Sequence, residues 1–325
     1  MRRVAVVCTI LLAAIAWAGN ANADAKGKRI ALLGTLNTNP YMGAWVSTYM
    51  KVAEGLGMKV TNFSTPYDAA IQSQQVDDAI AQKFDVIVID YLNDQAILPA
   101  FIRAKAAGVP VVLFGTPLQK EHDDLILSYV GTDHEELGRI AGENMVKALK
   151  AEGKTNANIA AITGVAQQLQ VQQRVAAFRD VLKQNPGFEL VAQEDGRWNT
   201  AISETIASQL LVRFNARGGI DGFLAMADNQ ATGIIQAVEA AGLKIGLQEK
   251  GIIVVASNCM KDGVVHIKSG EQFSTATQIP TEEAAAAARK TAGYLNGEPI
   301  KKSEIIRSYA VTTETLPRFE AGCSY

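Results

Sequence analysis

Short apolar runs, rich in β-branched residues and mostly unbroken, recur along the chain, each followed by a longer stretch with helical periodicity. The runs fall at 29–33 (RIALL), 59–63, 86–90 (VIVID), 109–114 (VPVVLF), 126–130, 159–163 (IAAIT), 190–193, 222–226 and 252–256 (IIVVA). A strand covered on both faces is apolar at consecutive positions rather than alternate ones, and such strands belong to parallel sheets. Helical stretches are predicted at 45–56, 68–83, 95–107, 135–152, 171–185, 202–214, 230–241 and 281–295, and several stop at Gly57, Gly108, Gly153, Gly242 or Asn296-Gly297. Alternation at this spacing builds right-handed strand–helix–strand units and open doubly wound sheets. About ten strands are too many for one compact sheet. The predicted fold class is therefore α/β, with two doubly wound parallel-sheet lobes joined by several chain crossings.

The N-terminus carries Arg2 and Arg3, an apolar run at 4–18 and the A-x-A triplet Ala21-Asn22-Ala23. That is the pattern of a cleaved signal peptide, 1–23, and the run is too short for a spanning helix; a retained anchor is the alternative. No later segment reaches eighteen consecutive apolar residues. The remaining ~300 residues suffice for two domains. A net charge of −2 argues against nucleic acid, which demands clustered Lys and Arg to neutralise its phosphates. Outside the leader the cysteines are Cys259 and Cys323. Export to an oxidising compartment favours a disulfide between them, against two free thiols.

In doubly wound sheets ligands sit outside the carboxyl ends of the strands, so the residues just after each apolar run are the candidates. Asn39 offers a donor and an acceptor, as a sugar hydroxyl requires, or else caps the next helix. Tyr41 can lay a flat face against C–H groups, or simply pack. Asp90 follows the third run, and Gly115 and Thr116 follow the fourth. Arg174 lies early in a helix, where the helix dipole gives a cation nothing. Trp198 follows the turn Glu194-Asp195-Gly196-Arg197. Asp228 follows the strand ending at Met226 and is either a contact or a helix cap. Asn258 follows IIVVAS, and Gln278 precedes Ile279-Pro280. Amides, one arginine, a carboxylate and large aromatics suit a polyhydroxylated ligand. No phosphate-binding glycine loop, nucleophile elbow or zinc motif occurs, and His122, His134 and His266 lack metal-ligand spacing. No enzyme, metal or cofactor is expected.

These residues in this order resemble the ribose-binding-protein family of periplasmic solute receptors. The likeness runs from Lys28 to about Arg307 and rests on NPYM at 39–42, GTDHEELGRIAG at 131–142, RVAAF at 174–178, DNQATG at 228–233 and TQIPTE at 277–282. It implies ligand contacts from Asn39, Tyr41, Met42, Arg174, Trp198, Asp228, Asn258 and Gln278. It also implies one lobe of 28–130 plus 279–307 and another of 131–278 plus 308–325, which places both cysteines in one lobe. Two departures stand out. The Asp-Arg pair of ribose-type members is replaced by Gly115-Thr116, and the carboxylate after IIVVAS is the amide of Asn258. Charged partners bind hydroxyls more strongly than neutral ones, so a sugar alcohol or less polar sugar fits better than ribose. The expected role is a monomeric periplasmic receptor handing a carbohydrate or polyol to an ABC importer permease in the inner membrane. The alternatives are a ligand sensor for a chemoreceptor or sensor kinase, and a sugar hydrolase.

Overall fold

The computed structural model describes residues 24–35 and 39–325, so the expected signal peptide lies outside the described residues. The first lobe is built by β1 (Arg29–Thr35), α1 (Pro40–Gly55), β2 (Lys59–Thr65), α2 (Ala69–Ala81), β3 (Val86–Ile89), α3 (Asp94–Ala106), β4 (Val111–Leu113) and β5 (Ser128–Thr132). The chain then crosses over and forms α4 (His134–Ala151), β6 (Ala157–Thr163), α5 (Leu169–Lys183), β7 (Phe188–Asp195), α6 (Thr200–Asn215), β8 (Gly222–Ala225), α7 (Asp228–Ala240), β9 (Ile253–Val255), α8 (Lys261–Ser269) and β10 (Thr275–Ala276). It returns through α9 (Pro280–Leu295) and β11 (Ser303–Ile306), and crosses again into β12 (Ala310–Val311) and α10 (Leu316–Phe319).

The first sheet has six parallel strands in the order β11-β5-β4-β3-β1-β2, and the second has four in the order β7-β6-β8-β9. The α/β two-lobe reading is thus what the chain adopts. Strands β3 and β4 are buried at every position, which explains their unbroken apolar sequences. The edge strand β2 is half-exposed. A short antiparallel pair, β10 with β12, lies where the chain passes between lobes.

Each lobe has apolar layers on both sides of its sheet. In the first, Trp45 of α1 stacks on Phe114 with ring centroids 3.6 Å apart, while Phe101, Tyr91 and Ile97 fill the opposite face. The second lobe buries Phe223, Ile234 and Leu210 on one side and Phe178, Met145 and Leu149 on the other. Side-chain caps start most of the longer helices: Asn39, Asp68, Asn93, Asp133 and Asn199 each accept a backbone N–H.

Several sequence boundaries shift. The fourth strand begins at Val111, because Pro110 has no N–H for the ladder. The fifth lies at 128–132 rather than 126–130, so a division at residue 130 falls inside it. Helix α8 and strands β10 to β12 escaped the sequence reading. A disulfide joins Cys259 to Cys323.

Candidate functional site

Both sheets place their topological switch points toward one cleft. In the first, the order reverses between β1 and β3; in the second, between β6 and β8. At such points neighbouring loops diverge and leave room for a ligand. The cleft encloses about 470 Å³, counting the space at its mouth, and is lined by Thr35, Asn39, Tyr41, Met42, Tyr67, Asp90, Gly115, Gln168, Gln170, Arg174, Trp198, Ala227, Asn258, Met260 and Gln278. Eight of the ten residues singled out from sequence meet there. Asn39 caps α1 through Oδ1, which accepts from the Met42 N–H at 3.3 Å, and still lines the cleft.

Asp228 and Thr116 do not line it. The Asp228 carboxylate turns inward to accept from the Met260 N–H (2.8 Å), Gln272 Nε2 (2.8 Å) and Thr275 Oγ1 (3.1 Å). Burial pushes that carboxyl up to about 7, and its bonds to Met260 and Thr275 brace the loop after β9. Nor is it a helix cap: it lies inside α7, and Ala227 holds the capping position. Thr116 is fully buried and donates to Asp90 Oδ1 at 2.8 Å. Arg174 sits in the second turn of α5, not at its start.

Arg174 is the buried hub. Its Nε donates to His134 Nδ1 (3.1 Å), Nη1 to the Met226 carbonyl (3.3 Å) and Nη2 to Gln278 Oε1 (2.6 Å), and it lies 5.8 Å from the Trp198 ring centre. The Gly115 carbonyl, 2.6 Å from His134 Nε2, can only accept. The imidazole proton therefore sits on Nε2, and Nδ1 is free to receive Arg174. Burial first, and then Arg174, hold that imidazole well below its ordinary range. Beyond Arg174, Gln278 Nε2 donates to Tyr41 Oη at 3.3 Å, and the Tyr41 hydroxyl donates to Glu283. One chain of hydrogen bonds thus runs from α9 and α1, through the crossing segment, to α5 and the start of α4. Burial lowers the Arg174 guanidinium to about 10 and raises the Glu283 carboxyl to about 7.

Two further details shape the cleft. Trp198 stacks over Gly164, where a Cβ would collide with the indole, and its Nε1 donates to Gln168 Oε1 at 2.8 Å. Gly115 has φ +63, and a Cβ there would stand 2.7 Å from Asp90. Where the family resemblance expects a carboxylate after β4, glycine instead leaves room for the Asp90 carboxylate from the end of β3. Burial pushes that group up to about 7. Across the cleft, Gln170 of α5 donates to Thr116 Oγ1 at 3.0 Å, tying the lobes together. The Asn258 Oδ1 atom is buried and has no partner among the described residues. Unpaired amide atoms beside two flat aromatic faces can take hydroxyls and C–H surfaces together.

Sequence reading missed Tyr67, Gln168, Gln170 and Met260 in the lining, and His134 and Glu283 behind it. Gln168 and Gln170 carried the signal already applied elsewhere, since they follow the run ending at Thr163. Glu283 had none, being 242 residues from the tyrosine it meets.

A family model described as a periplasmic binding protein domain matches residues 30–299. Among curated proteins, the D-ribose/D-allose-binding protein of Pseudomonas aeruginosa is 27% identical over 220 residues, spanning 67% of this chain and 65% of that protein. The xylitol-binding protein of Mycolicibacterium smegmatis is 24% identical over 249 residues, spanning 77% and 67%. The solved structure of a Caulobacter myo-inositol binding protein, with myo-inositol bound, superposes with a TM-score of 0.81 at 21% identity over 89% of this chain and 95% of that one, and so shares the fold.

Proposed function

From the chain's membership of the periplasmic binding protein family, which the match over 30–299 establishes, we propose that it is the solute receptor of an ABC importer, closing its lobes on a sugar or sugar alcohol. The carrying observation is the convergence of Asn39, Gln278 and Asn258 with Arg174, Tyr41 and Trp198 in one cleft between the sheets. Hydroxyl groups need partners that donate and accept, and carbohydrate C–H faces need aromatic planes. The amide-rich lining agrees with the names of relatives that bind ribose or allose and xylitol.

The chain works in the periplasm, captures its ligand without altering it, and presents the closed form to an inner-membrane permease. Other relatives are named import binding proteins for ribose and D-apiose, which favours delivery over the sensing alternative. Calorimetry and thermal melting against D-ribose, D-allose, D-apiose, xylitol and myo-inositol test this reading. One-to-one binding and a raised Tm are expected, with ligand of unchanged mass recovered afterwards. Silence across the panel would reject a polyhydroxylated ligand, and a changed mass would reject a passive receptor.

A further inference from the structure

A cross-linked tail reaches the cleft from behind. Cys259 and Cys323 are bonded and fully buried, and the bond draws Tyr325 against the loop that follows β9. There the Tyr325 hydroxyl donates to the Asn258 carbonyl at 2.6 Å and stands 3.4 Å from the Gln278 carbonyl. Its ring packs on the first-lobe core that holds Met42, Trp45 and Met260. The side chains of Asn258 and Gln278 both line the cleft.

The loop needs such support. Asn258 has φ 95 and Cys259 φ 57, two successive side-chain-bearing residues in the left-handed region. Backbone of this kind persists only where its surroundings over-determine it. The N–H groups are held, Asn258 by the Ala276 carbonyl at 2.9 Å and Cys259 by Thr275 Oγ1 at 3.2 Å. The phenol holds the carbonyl side.

We propose that Tyr325 is a positioning residue of the binding site. Anchored by the disulfide, its hydroxyl fixes the Asn258 carbonyl, with that of Gln278 alongside, and so aims the Asn258 amide at the ligand. This rests on the cleft being a polyol site. Tyr325→Phe keeps the ring and the cross-link and removes only the hydroxyl. In the ligand-free protein, hydrogen exchange at the Asn258, Cys259 and Met260 amides is expected to quicken several-fold. For whichever of D-ribose, D-allose, D-apiose, xylitol and myo-inositol the wild type binds, affinity should fall about two- to tenfold, the usual worth of one hydrogen bond. In an Asn258→Ala background the same change should cost much less, because both substitutions act through one group. Wild-type exchange rates overturn the proposal. So does quicker exchange with unchanged affinity, or a loss that adds in full to that of Asn258→Ala. If the wild type binds none of the five, the functional reading fails on its own, and the exchange rates alone decide whether Tyr325 orders the Asn258 loop.

Discussion

Glu283 illustrates what burial does to a single side chain here. Desolvation holds its carboxyl at about 7 against an ordinary 4.5, even though the Tyr41 hydroxyl and Arg174 pull the other way. A carboxyl whose pKa rises on folding binds its proton more tightly in the native state, so its contribution to stability falls as pH climbs from about 4.5 to 7. Glu283→Gln keeps an acceptor for Tyr41 and removes the titration. Its melting temperature should vary less between pH 5 and pH 8 than that of the wild type, and at pH 8 it should be the more stable by roughly 1–3 kcal/mol. An unaltered pH profile would show that Glu283 is paired as a carboxylate. Arg174 and Trp198 make the contrasting case, since their loss should act on binding. Arg174→Ala and Trp198→Ala should each abolish or severely weaken ligand binding while circular dichroism stays native; native affinity in both would misplace the site. Those two were legible because Trp198 follows the turn at a strand end and Arg174 is a cation early in a helix, where the dipole does not favour it. Glu283 and His134 were not, because their roles depend on contacts that only folding creates.

Helices α4 and α5 meet so closely at Gly138 that a Cβ there would run into the carbonyl of Arg174. The sequence around it, GTDHEELGRIAG, carries His134 and Gly138 one turn apart, so one helix supplies both the imidazole behind Arg174 and the gap that lets α5 approach. Gly138→Ala should push α5 outward, lowering stability by roughly 1–3 kcal/mol as overpacking does and ligand affinity by at least tenfold, read by melting and calorimetry together. Lowered stability with intact affinity would mean that Arg174 holds its place without this contact. At this scale most of the fold was readable, because unbroken apolar runs such as VIVID can only be doubly covered strands once helices flank them. The elements that escaped were too short or too exposed to show a period. Strands β10 and β12 have two residues each, β11 is largely exposed at the sheet edge, and α8 mixes Lys, Asp, Gly and His through a single apolar stripe.

Closure of the two lobes depends on what spans them. Apart from the crossing segments, Gln170 reaches from α5 to Thr116 on the first lobe, and it also lines the cleft, so its amide has two conceivable duties. As a latch, it favours the closed form before ligand arrives. A receptor whose competent state is only partly populated binds with an affinity reduced by that fraction, and one hydrogen bond of about 0.5–1.5 kcal/mol shifts such a balance two- to tenfold. Gln170→Met keeps length and bulk and removes the amide. Its affinity should drop by that factor, and small-angle scattering of the ligand-free variant should give a larger radius of gyration than the wild type. At saturation the two radii should coincide, because ligand restores closure in both. A variant that loses affinity while its free form keeps the wild-type radius would assign the amide to the ligand instead of the latch.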